Sequence, residues 1–406
     1  MKNSCGLLLV TLSLLMPLSV WAEAGNHYTI VADAGAADAY AAAPESLLLT
    51  ELESRFDVYN LFFRFDPSLV RSPFIVRVFG DKDAYDLYVT EHLGFARPGA
   101  VYLHYNQTER RELVIHRGSR EEASMLAHQA FVQYLRAFIP NPPSWILEGF
   151  AIYFSSLEFV PPGTLSYEEN LLWLESVKKL GTRLPGPETI LQTDISGYYS
   201  VIPPSYNPES RTGTGPGIVE DFQISSWALV SFLLNASLDY YRTLTESFML
   251  LSPYNGTAEN ARAVMNRFFL WNDLDVMRND FMGYLDSRKT YRELIDEGNA
   301  AYSRGDIMNA EFAFMTAKEE YPSEFTPYYY LGLLSYEGKD YESAEYYYLA
   351  SLERGADEAL VNYALGINAA SAGRRNDAED YLHRAAALDP GKYRSRVEEL
   401  LKKIWE

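Results

Sequence analysis

The strongest constraint on the fold of this chain is a repeat of 34 residues near its C-terminus. Small residues recur at this spacing in two independent series, one of glycines and one of alanines: Gly298, Gly332 and Gly366, and Ala310, Ala344 and Ala378. A fixed period of this length is typical of stacked helical hairpins, because one hairpin cannot bury its apolar face alone. The small residues are expected where the two antiparallel helices of each hairpin approach closely.

The segments around these positions resemble the tetratricopeptide (TPR) repeat family. They read EGNAAYSRGDIMNAEFAFMTAKEEYP, YLGLLSYEGKDYESAEYYYLASLERGA and YALGINAASAGRRNDAEDYLHRAAALDP. The resemblance covers residues 291–392 and implies three repeats, at 291–324, 325–358 and 359–392. The final segment, residues 393–406, has the amphipathic pattern of a helix that caps the last repeat.

In the TPR family the first helix of each repeat lines a concave groove. The resemblance assigns eight residues to this groove: Ile295, Asn299, Tyr302, Tyr329, Leu333, Tyr336, Tyr363 and Ile367. Repeats that clamp a terminal carboxylate use Lys, Arg and Asn there, and only Asn299 is of that kind. Residues 291–406 contain 13 Lys+Arg against 22 Asp+Glu, which also disfavours an anionic ligand. We expect the groove to bind a protein segment by stacking and apolar contact, unless its tyrosines serve only to pack the helices together.

Residues 25–290 have a different pattern. Four short runs rich in β-branched and aromatic residues predict strands: HYTIVAD, PFIVRVFG, AVYLHY and ELVIHR. The runs SLLLTELESRFDVYNLFF and DKDAYDLYVTEHL have helical periodicity, and from Ser119 onward the pattern is helical. A stretch between Gly181 and Gly217 that is rich in Pro, Gly, Ser and Tyr predicts a long loop. The expected fold class is an α+β domain, with a small N-terminal mixed sheet and a helical part, followed by an all-α TPR solenoid.

The helical part carries an incomplete catalytic motif. The segments SMLAHQAFVQYLRAFIPNPPSWILEGFAIYF and ISSWALVSFLL, together with the strand-rich part, resemble the gluzincins, a group of thermolysin-like zinc metallopeptidases. In that family an H-E-x-x-H helix supplies two zinc ligands and the general base, and a Glu on the next helix is the third ligand. The resemblance maps the first ligand to His128 and the third to Glu148. It maps the general base to Gln129 and the second ligand to Val132.

Two of these four positions cannot perform the chemistry. Val132 has no lone pair for a metal ion, and Gln129 has no carboxylate that could take a proton from water. We therefore expect a catalytically degenerate peptidase-like domain that holds no metal and no other cofactor. In such a domain His128 and Glu148 are available to hydrogen-bond each other.

The alternative is an active secreted zinc metallopeptidase with a non-standard ligand set. His128 and Glu148 would then need a third zinc ligand, and His116 on a predicted strand is the one local histidine available. A degenerate domain could still accept an extended peptide in its former substrate cleft, because pairing with a strand edge needs backbone groups and no metal.

The N-terminus and the composition restrict the partners. Residues 1–24 combine Lys2, an apolar run and an A-x-A-like end, which predicts a signal peptide and hence export. The only cysteine, Cys5, lies within this predicted signal peptide, so the exported chain would contain no cysteine. An acidic chain without cysteine suits a bacterial periplasm better than an oxidising eukaryotic lumen. No apolar run is long enough for a membrane span. The net charge of -20 repels phosphate backbones, so nucleic-acid binding is not expected.

These observations predict an exported scaffold protein that binds a protein or peptide partner through the TPR groove. Its larger domain is expected to be a non-catalytic relative of the peptidases. The sequence also allows self-association through the repeats, and it leaves the oligomeric state open.

Overall fold

The computed structural model describes residues 21–32, 47–70, 72–116, 120–167, 169, 171–192 and 218–405. Most of the predicted signal peptide, residues 1–20, and most of the predicted loop, residues 193–217, lie outside the described residues. The chain divides into two compact units, one up to Ser287 and one from Arg288. One helix ends at Ser287 and the next begins at Tyr291, so no continuous helix joins the units.

The first unit contains a five-stranded mixed sheet and a separate two-stranded hairpin. The strands are β1 (Trp21–Ala24), β2 (Tyr28–Ala32), β3 (Phe74–Phe79), β4 (Ala100–Leu103), β5 (Glu112–His116), β6 (Leu157–Val160) and β7 (Thr164–Tyr167). The order in the large sheet is β1-β2-β3-β5-β4. Its three central strands are parallel, and both edge strands are antiparallel to their neighbours. The predicted mixed sheet is therefore confirmed, although β1 has no counterpart in the prediction.

Helices cover both faces of this sheet. The helices of the first unit are α1 (Leu47–Phe63), α2 (Lys82–Leu93), α3 (Arg120–Phe138), α4 (Ser144–Ser155), α5 (Leu172–Leu180), α6 (Pro187–Gln192), α7 (Ile218–Asn235), α8 (Leu238–Phe248), α9 (Thr257–Trp271) and α10 (Leu274–Ser287). Side chains of α1 and α3 pack on one face in the main core, and α2 packs on the other face in a smaller core. Among the described residues, no helix has the length and apolar character that crossing a membrane requires.

The prediction of an entirely helical chain after Ser119 is wrong at β6 and β7. These strands form an antiparallel hairpin in which Leu157 pairs with Tyr167. Pro161 and Pro162 lie in its turn, where the lack of backbone N–H groups prevents helix continuation. A second difference is the short helix α6, which lies inside the predicted loop.

The second unit is a run of antiparallel helical hairpins with a TPR-like organisation. Its helices are α11 (Tyr291–Ser303), α12 (Ile307–Glu320), α13 (Phe325–Glu337), α14 (Tyr341–Glu353), α15 (Glu358–Ser371), α16 (Arg375–Leu388) and α17 (Pro390–Trp405). The first six pair as α11/α12, α13/α14 and α15/α16. Helix α17 packs on the last hairpin through Tyr393 and Val397, which are both buried.

The glycine series of the sequence marks the contact within each hairpin. Each glycine faces a large side chain that follows it by sixteen residues: Gly298 faces Phe314, Gly332 faces Tyr348 and Gly366 faces Leu382. A Cβ added at these glycines would lie 2.5, 2.7 and 2.6 Å from the facing side chain. These distances are shorter than any real Cβ contact, so the predicted close approach of the two helices is confirmed.

Replacing Gly332 by Ala should destabilise the second unit. The added methyl group must displace the buried Tyr348 ring, and overpacking of this kind costs about 1–3 kcal/mol. The better helix propensity of Ala returns at most about 1 kcal/mol. Hydrogen exchange of peptides from residues 291–388, followed by mass spectrometry on the full chain, measures the loss of protection.

The matched control is Gly391→Ala in α17 of the same unit. A Cβ there would have its nearest neighbour, Asp389 Oδ1, at 3.6 Å, which is an ordinary contact. This variant should keep or increase protection. Equal protection in the two variants would contradict the close packing described for Gly332.

Candidate functional site

The four positions of the degenerate motif lie on two adjacent helices. His128, Gln129 and Val132 lie on α3, and Glu148 lies on α4. Both helices contribute to the main core, and all four motif residues are half-buried at the margin of that core. The structure therefore brings together the positions that the sequence pattern connects.

His128 and Glu148 interact electrostatically and not through a hydrogen bond. Burial lowers the pKa of the His128 imidazole, and the Glu148 carboxylate opposes this shift. Both residues are described, and no hydrogen bond joins them, so the expected pairing is wrong. Glu148 Oε2 instead accepts a hydrogen bond of 3.0 Å from Nε2 of Gln223 on α7. The sequence pattern holds no signal for Gln223, which lies 75 residues further along the chain.

Gln129 ties α3 to the sheet. Its Oε1 atom accepts a hydrogen bond of 3.0 Å from the backbone N–H of Tyr102 in β4. One helical turn later, Nε2 of the buried Gln133 donates to the carbonyl of Ile75 in β3, also at 3.0 Å. Val132 packs against the main core. Gln129 and Val132 thus contribute to backbone hydrogen bonding and to packing.

The contact of Gln129 occupies the open edge of the sheet. His116 N–H donates to Gly99 O across the β4–β5 pair, so the N–H groups of Ala100 and Tyr102 point away from β5. The Ala100 N–H already donates to a nearby backbone carbonyl at 2.8 Å, and the Tyr102 N–H donates to Gln129. These two N–H groups are therefore already engaged and are not available to pair with an extended peptide.

His116 lies on the wrong face of the sheet to join His128. Leu113 and Ile115 of β5 pack in the main core with α3, whereas the His116 ring lies 6.2 Å from the ring of Tyr85 in the smaller core beside α2. Because side chains alternate along a strand, His116 and His128 are separated by the sheet. Within the described ranges, no three His, Cys, Asp or Glu residues are grouped so that they could hold a metal ion.

A second histidine near the sheet edge has no counterpart in the sequence prediction. Burial and the positive charges of Arg111 and Arg136 lower the pKa of His104 to about 4. Its Nδ1 atom is buried and has no hydrogen-bond partner among the described residues. His104 is therefore uncharged at neutral pH. Protonation of its imidazole on acidification destabilises the folded state relative to the unfolded chain.

The eight predicted groove residues all lie on the first helices of the hairpins, α11, α13 and α15. All eight are half-buried. Positions 295, 329 and 363 form one row with a spacing of 34 residues, and positions 299, 333 and 367 form another. A third row starts at Tyr302, whose hydroxyl group donates to Glu337 of the next hairpin, and continues with Tyr336, whose hydroxyl lies 3.2 Å from Oγ of Ser371.

Several of these tyrosines also contribute to packing. The Tyr329 ring lies 5.6 Å from the ring of the buried Tyr348, and the Tyr363 ring lies 4.9 Å from that of Tyr393. Both rings nevertheless keep part of their surface exposed. The residues offer surface for a ligand on one side and stabilise the stacked hairpins on the other.

Comparisons with known proteins add little to this description. No family model and no curated protein matches the chain. Among solved structures, the TPR domain of Arabidopsis OM64 is similar, with 20% sequence identity and a TM-score of 0.26. The match covers 28% of this chain and 94% of that domain. The TPR-like organisation described above depends on the chain's own helices and not on this similarity.

Replacing Gln129 by Met should release the Tyr102 amide. The substitution keeps the side-chain volume but removes the acceptor, and a buried N–H without a partner costs about 1–3 kcal/mol. Gln129→Glu retains an acceptor oxygen and should keep the amide protected. Hydrogen exchange at Tyr102 measures the difference, with Gln223→Met as the control that leaves β4 untouched. Unchanged exchange protection of the Tyr102 amide in Gln129→Met would show that its hydrogen bond to Gln129 does not stabilise β4.

Replacing His104 by Gln should weaken the pH dependence of stability. The folded-state pKa of about 4 lies below the unfolded value of about 6.5, so the unfolded chain binds more protons between these values. This contribution to stability is fully present above pH 6.5 or so and is lost as the pH falls towards 4. Urea unfolding at a series of pH values should show wild type losing more stability than His104→Gln in that window. Parallel curves would contradict the assignment.

Proposed function

We propose that the chain is an exported protein-binding scaffold whose hairpin repeats recruit a protein partner through the groove on α11, α13 and α15. The single observation that carries this proposal is the arrangement of the eight groove residues. They form three rows at the repeat period, and each keeps part of its surface exposed. Such regular rows present one continuous surface to an elongated ligand.

The chemistry of the groove indicates the kind of partner. Seven of its eight residues are aromatic or aliphatic, and none is basic. A terminal carboxylate would find no cation there, and the acidic excess of the second unit would repel it. The expected ligand is a protein segment with apolar and aromatic side chains.

We further propose that the first unit is a degenerate gluzincin-like domain without hydrolytic activity. The side chain of Gln129 is engaged with Tyr102, and Val132 packs against the core. Glu148, the position of the third zinc ligand in the resemblance, accepts a hydrogen bond from Gln223. These contacts support a structural use of the former catalytic helix.

Export is part of the same proposal and is supported by the sequence of residues 1–24. A single cysteine at position 5 suits a protein that folds without disulfides after transport. The partner would then be another exported or surface-exposed protein.

The double substitution Leu333→Asn and Ile367→Asn should abolish partner recruitment. Asn299 occupies the equivalent position of the first repeat, so the repeat accommodates this side chain. Apolar residues at the centre of an interface contribute most of its binding energy, and we expect at least about a tenfold loss of captured partner. Quantitative mass spectrometry of proteins captured by the tagged full chain from the exported fraction provides the measurement.

The control is Leu388→Asn, which changes an exposed leucine at the end of α16, outside the groove. This variant should capture the same proteins as wild type in the same amounts. If the double variant also captures the wild-type set, the groove is not the binding site.

A further inference from the structure

The second helices of the first two hairpins expose large apolar side chains that the hairpin contacts do not use. On α12, Met308 is 78% and Phe312 is 73% exposed. On α14, Tyr346 is 66% and Leu349 is 40% exposed. The faces of these helices that bury Phe314 and Tyr348 lie on their opposite sides. The exposed set therefore lies on the outer surface, away from the hairpin interior.

The third hairpin shows that the fold does not need apolar residues at these positions. Positions 312, 346 and 380 are equivalent, and the third is Asp380 in α16. Likewise His383 corresponds to Leu349. The internal contact of the hairpin is nevertheless retained, because Gly366 packs against Leu382 as its counterparts do. An exposed apolar cluster that folding does not require is typical of an interaction surface.

We call the apolar residues on this side of the two helices the outer patch: the exposed Met308, Phe312, Tyr346 and Leu349, and the half-buried Met315 and Tyr347. The hydroxyl group of Tyr347 lies 3.9 Å from Sδ of Met315 and bridges the two helices. The rings of Tyr346 and Tyr347 are 5.3 Å apart. The contact of Tyr347 with Met315 thus joins the apolar side chains of α12 to those of α14.

The rim of the outer patch is acidic. Helical spacing places Glu319 on the same side of α12 as Phe312, and it places Glu311 beside Met308 and Met315. On α14 it places Glu342 and Glu353 on the same side as Tyr346. All four glutamates are exposed. The guanidinium group of Arg354 lies 4.0 Å from the centre of the Tyr328 ring and donates to backbone carbonyls. It also lies 3.8 Å from Oε2 of Glu353, so this glutamate of the rim is partly neutralised. The patch thus combines apolar side chains with a negative rim.

We propose that the outer patch binds a basic amphipathic helix of a protein partner. Apolar residues of that helix at i, i+3, i+4 and i+7 would cover Phe312 and Tyr346, and its Lys or Arg residues would meet the surrounding carboxylates. A second copy of this chain fits poorly, because it carries a net charge of -20 and an equally acidic patch. An anionic membrane surface is repelled for the same reason.

This site is separate from the groove of the proposed function. The groove lies on the first helices of the hairpins, and the outer patch lies on the second helices. One protein could therefore hold two ligands at once. Substitutions in one surface leave the other unchanged, so the two proposals can be tested independently.

The test uses a synthetic helical peptide of about 18 residues that contains only Leu and Lys, with the leucines on one face. Binding to the full chain is followed by fluorescence anisotropy. We expect saturable binding that is at least about tenfold weaker in the double variant Phe312→Asp and Tyr346→Asp. A scrambled Leu/Lys peptide and an amphipathic Leu/Glu peptide should bind wild type no better than the first peptide binds this variant.

The design separates loss of apolar contact from loss of fold or charge. Both substitutions introduce the residue that the third repeat has at this position, and an unchanged thermal unfolding midpoint verifies the fold. Added carboxylates would strengthen purely electrostatic binding of a basic peptide, so weaker binding reports the lost apolar surface. His383→Asp adds a charge on α16 outside the patch and should not weaken binding.

Three results would overturn the proposal. The first is equal affinity of the peptide for wild type and for the double variant. The second is a loss of peptide binding in Leu333→Asn, which would place the peptide in the groove. The third is a dimer of wild type in analytical ultracentrifugation that Phe312→Asp dissociates, which would make a second copy of this chain the occupant.

Discussion

The packing of both units depends on the close approach of helices at glycine residues. In the first unit, a Cβ at Gly149 of α4 would lie 2.5 Å from the carbonyl oxygen of Ser226 in α7. In the second unit, Gly298 and its two counterparts meet the same requirement within each hairpin. The contact of α4 with α7 brings Gln223 to Glu148, and the hairpin contacts fix the spacing of the groove rows. The candidate sites are consequences of how closely these helices pack.

In the first unit, polar residues of α3 stabilise the packing of this helix on the sheet. Gln129 and Gln133 hold α3 to two different strands, and Gln129 fills the sheet edge that an extended peptide would otherwise use. Such use of polar side chains removes buried donors and acceptors that would be costly without partners. The two binding surfaces that we propose, the groove and the outer patch, both lie in the second unit.

The sequence predicts the parts of this structure that depend on local periodicity. The strands β2 to β5 follow from short runs of β-branched and aromatic residues. The glycine contacts follow from the repeat of 34 residues. The partners of Gln129 and Glu148 do not, because they lie 27 and 75 residues away and only the tertiary fold brings them close. The hairpin of β6 and β7 escapes prediction because its four-residue strands directly adjoin helical runs, with β6 beginning only two residues after α4 ends.

The central proposal, that the first unit is a peptidase-like domain without zinc chemistry, is tested most directly by the metal content of the purified protein. Elemental analysis together with a calorimetric zinc titration should be carried out on wild type and on His128→Ala. The account predicts no bound zinc and no heat of binding in either protein. One zinc ion per wild-type chain that is lost in His128→Ala would contradict it and would favour the alternative of a metallopeptidase with an unusual ligand set.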